Sequence, residues 1–222
     1  MTKPTLLLTA VSAFLTSEEG LAAGTLARAL RSYGGLSLSI IVAVPKGREK
    51  TVTKSLEAHS HPGADFLVVG VSERSKGSLA SAMAALSASK CDDGELIIAA
   101  GDTEFLNSEP IAAIQRLFDG GTEMGTIVFQ SKDPRFSYLN MSGSGRVNYV
   151  LEKKVVGKFA TTGVFYFRSA KSFLEAAKWC FVNNATFEGN FYVSAALNYA
   201  LYLGGNVAWC EIEESHFCKS FE

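Results

Sequence analysis

The sequence predicts an α/β protein: a mainly parallel, mixed sheet with helices on both faces, in three α/β/α layers. Two observations predict it. Through residues 1–130, short apolar runs alternate with longer segments of helical spacing, the rhythm of strand–helix–strand units. One run, residues 95–100, then stops abruptly in Gly101-Asp102-Thr103-Glu104, as a buried strand does when its carboxyl end carries an acid.

The elements follow in order. Thr5–Thr9 reads as a strand, and residues 21–33 as a helix (Leu21, Leu26, Leu30) stopped by Gly34-Gly35. Residues 37–44 form a strand ending at Pro45, 49–58 a helix, 65–71 a strand and the Ala-rich Ser78–Ser89 a helix. The strand at 95–100 is followed by a helix over 110–118, with Pro110 at its start, and a strand over 125–130. Right-handed crossovers place the strand ends, Asp102 included, along one edge. After Gln130 the rhythm changes. Segments 136–141 and 146–151 read as a hairpin around Gly143-Ser144-Gly145, 162–167 as a strand, and 172–182 as an amphipathic helix. A helix over 191–203, ended by Gly204-Gly205, and a strand over 207–212 complete the chain. With no linker or repeat, residues 1–222 read as one domain, with a nucleotide-type first half (1–130) and a mixed second half (131–222).

Composition excludes several classes. Hydrophobic residues make up 47% and charged residues 19%, which is globular rather than disordered. The net charge is −1 and no Lys/Arg block exists, so no nucleic-acid partner is expected. No apolar run reaches the ~18 residues of a membrane span. The N-terminus is too soon interrupted for a signal peptide, so a cytoplasmic location is expected. Cys91, Cys180, Cys210 and Cys218 form no C-x-x-C pair and read as buried free thiols, rather than Cys210 and Cys218 forming a metal cluster with His216 between them. No role is assigned to His59 or His61.

A carboxylate at the end of a sheet strand can hold a divalent metal against a phosphate, and Asp102 is the leading candidate. The alternative is an Asp that starts a turn or caps the next helix. Ser75-Lys76-Gly77-Ser78 is either a phosphate-facing loop using Lys76 and Gly77, or a plain connection with Ser78 as the helix N-cap.

From about Gly94 onward the chain resembles the sugar-phosphate nucleotidyltransferase superfamily, and most of all its short members linked to capsule and surface-polysaccharide biosynthesis. The likeness rests on blocks in the right order: Ile97 to Asp102; Ser131-Lys132-Asp133-Pro134-Arg135-Phe136-Ser137-Tyr138; Glu152-Lys153-Lys154; Thr161-Thr162-Gly163-Val164-Phe165-Tyr166-Phe167; and Glu188-Gly189-Asn190-Phe191-Tyr192-Val193. The resemblance implies a nucleotide-diphospho-sugar transferase fold, Rossmann-like and of GT-A type. It implies a reaction in which a sugar-1-phosphate attacks the α-phosphorus of a nucleoside triphosphate. Asp102 would hold Mg²⁺ and Lys153 the sugar phosphate. Gly101, Glu152, Gly163, Glu188 and Asn190, with Lys76 and Gly77, would line the substrate.

The chain departs from that pattern in three places. Residues 10–20 hold one glycine and no arginine where the superfamily has a Gly-rich, Arg-containing triphosphate loop, and add Glu18 and Glu19. The sugar-side glutamate appears as Asn190. The closing motif, residues 216–222, has no acid near Cys218, with Glu213 or Glu214 as substitutes. Two other functions therefore stay open. A glycosyltransferase using a ready-made nucleotide sugar would take Asp102-Thr103-Glu104 as its metal pair, unless Glu104 simply faces solvent. A degenerate member would bind or regulate without turnover. The sequence leaves the nucleobase, the sugar and the oligomeric state open.

Overall fold

The computed structural model describes residues 3–11, 19–59, 66–89 and 93–219. His61, Cys91 and most of the divergent 10–20 segment lie outside the described residues. The strands are β1 (Thr5–Thr9), β2 (Ser39–Pro45), β3 (Phe66–Val71), β4 (Leu96–Ala100), β5 (Thr103–Phe105), β6 (Met124–Gln130), β7 (Tyr138–Met141), β8 (Val147–Leu151), β9 (Phe159–Phe167), β10 (Ala208–Glu211) and β11 (Phe217–Lys219). The helices are α1 (Glu19–Ser32), α2 (Glu49–His59), α3 (Ser78–Ser89), α4 (Glu109–Asp119), α5 (Ala170–Val182), α6 (Val193–Ala196) and α7 (Asn198–Tyr202).

The main sheet runs β10-β6-β9-β4-β1-β2-β3, with the β7–β8 hairpin paired to the start of β9. β1 to β4 are mutually parallel, as are β6 and β10, and β9 is antiparallel to both its neighbours. The carboxyl ends of β1, β2, β3, β4 and β6 therefore meet at one edge, and the start of β9 meets them there. β9 comes from the sequence's second half yet sits between β4 and β6 of the first, so the two halves share one sheet.

Alternation along the strands builds the layers. Leu6 and Leu8 join a core cluster with Leu26, Leu30, Val52, Leu56, Ile114 and Leu117, so α1, α2 and α4 cover that face. Leu7 joins the opposite cluster with Leu79, Leu86, Phe173, Cys180 and Ala196, so α3, α5 and α6 cover the other. Each fully buried Leu contributes about 1.5–3 kcal/mol.

Two features differ from the sequence-based reading. The segment 191–203 is two short helices joined at Leu197 rather than one, with Phe191 outside both and Tyr192 extended. The three-residue strands β5 and β11 form a separate antiparallel ribbon too short to leave a periodic signal. Among the described residues no helix is long and apolar enough to cross a membrane.

Candidate active site

Glycine lets the chain turn out of β4. The Gly101 N–H donates to the Thr9 carbonyl at 2.9 Å, and a Cβ there would lie 2.9 Å from Ala10 Cβ and 3.1 Å from Leu26 Cδ1. Only a bare α-carbon passes so close to the end of β1. Asp102 then sits in the turn between β4 and β5. It caps no helix, because the N-cap of α4 is Ser108.

Asp102 Oδ1 is buried and accepts no hydrogen bond among the described residues, and it faces Lys219 Nζ at 3.8 Å. Lys219 comes from β11, whose register sets it opposite Thr103 and sets Cys218 opposite Glu104. Directly opposed residues point to the same side of a ribbon, and successive ones to opposite sides. Lys219 and Thr103 therefore face Gly163, while Cys218 and Glu104 turn away. The distances agree: a Cβ on Gly163 would lie 3.0 Å from Lys219 Nζ and 3.6 Å from Thr103 Oγ1. Thr103 is fully buried and its hydroxyl donates to the Thr162 carbonyl at 3.2 Å. Tyr33, also buried, keeps its phenolic proton well above the usual range, through burial first and the charge of Asp102 second.

Gly163 itself, at φ +88, marks an irregularity in β9. Two steps along β6, from Thr126 to Val128, span four along β9, from Phe165 to Thr161. Such a bulge re-aims a strand, and glycine accepts the left-handed backbone.

From Gly163 the line of contacts runs on to the Glu152–Lys153 turn. Thr161 N–H donates to the Ser137 carbonyl at 2.8 Å, and the Ser137 hydroxyl donates to Glu152 Oε2. The same carboxylate oxygen accepts from Ser194 Oγ at 2.7 Å. Lys153 follows at φ +50, a strained conformation for a side chain with a Cβ. Its ammonium donates to Tyr192 Oη at 3.4 Å and lies 5.4 Å from the Tyr192 ring centroid and 6.0 Å from that of Phe187.

The strap carrying those rings is a two-residue turn. Phe187 and Asn190 exchange backbone hydrogen bonds at 3.0 Å, with Glu188 at φ +48 and Gly189 at φ +75 between them, the pattern of a type I′ turn. Asn190 Nδ2 folds back on the Glu188 carbonyl at 3.4 Å, and Glu188 is exposed at the tip. The next residue locks onto the Ser75–Ser78 loop. Phe191 N–H donates to the Lys76 carbonyl at 2.8 Å, and Leu79 N–H donates to the Phe191 carbonyl at 3.0 Å. Gly77, at φ +91, has no room for a Cβ, which would fall 2.2 Å from that carbonyl oxygen. Ser78 is the first helical residue rather than the N-cap, and its hydroxyl accepts from Val193 N–H at 3.3 Å, at the head of α6.

The structure thus brings most of the sequence-predicted residues to one edge. Asp102, Gly101 and Gly163 form one cluster. Glu152, Lys153, Glu188, Asn190, Lys76 and Gly77 form a second, joined to the first through Thr161 and Ser137. Glu104 lies apart from both: its carboxylate takes Arg28 Nε at 3.1 Å. Glu213 and Glu214 face an acidic cavity of about 640 Å³ with Glu109, Glu211 and His216. Sequence alone does not mark Lys219, Tyr33 or Ser194, because which side of a strand or turn they occupy depends on long-range pairing.

The residues fit a divalent metal poorly. Magnesium takes about six oxygens in near-octahedral order. Among the described residues, one carboxylate stands at Asp102, already faced by an ammonium, while Glu104 is turned to Arg28. Among the described residues no three His, Cys, Asp or Glu side chains cluster as a metal site would need.

No protein-family model and no curated protein matches the chain. Solved structures do. A nucleoside-diphosphate-sugar pyrophosphorylase from Vibrio cholerae RC9 superposes with a TM-score of 0.74 at 15% identity, over 97% of this chain and 95% of that one. The inositol-1-phosphate CTP transferase of T. maritima gives 0.71 at 15%, over 99% and 89%. The chain therefore has the mixed α/β fold of the nucleotide-sugar pyrophosphorylases and nucleotidyltransferases, built on a mainly parallel sheet.

Proposed function

We propose that this chain binds a nucleotide and a sugar phosphate at the carboxyl edge of its sheet and transfers a nucleotidyl group between them, in the formation of nucleotide sugars for surface polysaccharides such as capsule. One observation carries the reading: a line of contacts joins Asp102, through Lys219, to the Gly163 bulge, and the bulge, through Thr161 and Ser137, to the Glu152–Lys153 turn and the Phe187 and Tyr192 rings. The reaction is an in-line attack of a sugar-1-phosphate oxygen on the α-phosphorus, with pyrophosphate leaving. Such chemistry asks for alignment and charge neutralisation rather than covalent help. Lys153, held on two aromatic rings, supplies a cation for the sugar phosphate. Glu152 positions Lys153 by fixing the turn from beneath. The Asn190 amide faces the sugar, Gly163 leaves its face of β9 open to Lys219, and Lys76 and Gly77 meet the nucleotide through main-chain atoms. Magnesium, expected with this chemistry, would have to displace Lys219 from Asp102, so no step here depends on it.

A pyrophosphate-exchange assay over several triphosphates and sugar-1-phosphates tests the proposal. Exchange with one pair supports it; none with any pair, in a chain that still binds those ligands by calorimetry, moves the function to the second reading. That reading is binding without turnover, and the charge-matched Asp102–Lys219 pair favours it. The glycosyltransferase reading is weakened by the Arg28–Glu104 ion pair, which occupies the second acid of Asp102-Thr103-Glu104.

A further inference from the structure

We infer that Lys219 stands in for a divalent cation at Asp102: its ammonium neutralises the carboxylate and meets the phosphate of the ligand, so anions bind this edge without metal. The inference rests on the reading of the edge as a nucleotide and sugar-phosphate site. Four observations carry it. Lys219 Nζ lies 3.8 Å from Asp102 Oδ1, and the two side chains are only 17% and 26% exposed. That oxygen is buried and accepts no hydrogen bond among the described residues, and the ammonium answers its charge across space. The β11–β5 register delivers Lys219, and not Cys218, to this side of the ribbon. Gly163 keeps the space clear, because any Cβ there would crowd the ammonium at 3.0 Å.

A carboxylate paired with an ammonium is a neutral unit, and a divalent ion brought onto it meets a like charge at close range. The same ammonium, at the rim where strand ends open to solvent, attracts phosphate oxygens. The glycine expected beneath a sugar here lies beneath a lysine.

The test uses the whole chain and Mn²⁺ alone, with free ion read by electron paramagnetic resonance. Wild type and Asp102→Asn are expected to take up the same millimolar Mn²⁺, showing no site that depends on Asp102. Lys219→Met and Lys219→Gln, checked for folding by thermal melting, are expected to gain a site at least roughly tenfold tighter. Adding Asp102→Asn to either should abolish that site. An Asp102-dependent Mn²⁺ site in wild type, or no gain in the two Lys219 variants, overturns the inference. Calorimetry with inorganic pyrophosphate in EDTA forms the second arm. Binding by wild type, weakened about tenfold in Lys219→Gln, supports the anion role; equal binding, or none by wild type, overturns it. The Mn²⁺ arm involves no nucleotide, so the proposed function can fail in its exchange assay while this pairing stands.

Discussion

The Glu152 carboxylate accepts a hydrogen bond from Ser194, 42 residues further along the chain, at 2.7 Å. Ser137 donates to the same oxygen, so one partly buried side chain ties the end of β8 to the approach of β7 and the head of α6. Hydrogen bonds to a charged acceptor contribute about 1.5–3 kcal/mol, and hydroxyls left without one lose solvation. Glu152→Ala is expected to lower unfolding free energy by about 2 kcal/mol. Glu152→Gln, which keeps one acceptor oxygen, is expected to cost about half as much. Urea titrations of the three proteins measure this. Equal losses would mean the carboxylate's charge, not its acceptor geometry, holds the turn.

Lys153 sits at φ +50, and a left-handed residue with a Cβ costs about 1–2 kcal/mol. Asparagine tolerates this conformation better than lysine. Lys153→Asn is therefore expected to leave stability unchanged or raise it by up to about 1 kcal/mol, while weakening binding of sugar-1-phosphates. Denaturant midpoints and calorimetry on one preparation separate the two effects. A clear drop in stability would show that the ammonium's contacts with Tyr192 and Phe187 outweigh the backbone strain.

Two glycines of the site should respond differently to a methyl group. At Gly77 a Cβ would fall 2.2 Å from the Phe191 carbonyl oxygen, a backbone atom that is itself hydrogen-bonded to Leu79. At Gly163 the nearest atom is the end of a lysine, 3.0 Å away. Both carry positive φ. Gly77→Ala is expected to cost more than about 3 kcal/mol, against about 1–2 kcal/mol for Gly163→Ala, where the amine can move. Chemical denaturation ranks them, and the reverse order would contradict the contact between the Ser75–Ser78 loop and Phe191.

What the sequence revealed depended on how local the cause was. Ser78–Ser89 reads as a helix from its own composition, and the apolar run ending in Gly101-Asp102 marks a strand end without any partner in view. Phe191 looked helical because apolar residues recur after it at suitable spacing, yet its main chain is committed to Lys76 and Leu79, more than a hundred residues away. Lys219 could not be read as a neighbour of Asp102. Its side of the ribbon is set by a one-residue choice of register in strands too short to show periodicity.

Alkaline stability should follow one buried thiol. Burial pushes the Cys180 thiol up to about 12, and raises the phenols of Tyr33 and Tyr166. In the unfolded chain these groups titrate at about 8.5 for Cys and 10 for Tyr. Their folded values are raised, so the stability they contribute is complete below about pH 8.5 and is lost as pH rises, because the unfolded chain sheds protons that the folded chain keeps. Cys180 alone should account for a loss of about 2 kcal/mol between pH 8 and pH 10. Urea unfolding at the two pH values measures it. Cys180→Ala, less stable overall because a buried group is removed, is expected to lose markedly less across that window. The labelling pattern should agree: on the folded protein at pH 8 a thiol reagent reaches the exposed Cys218 and spares Cys180 until the chain unfolds. A variant that loses as much stability as wild type would assign the alkaline limb to the tyrosines instead.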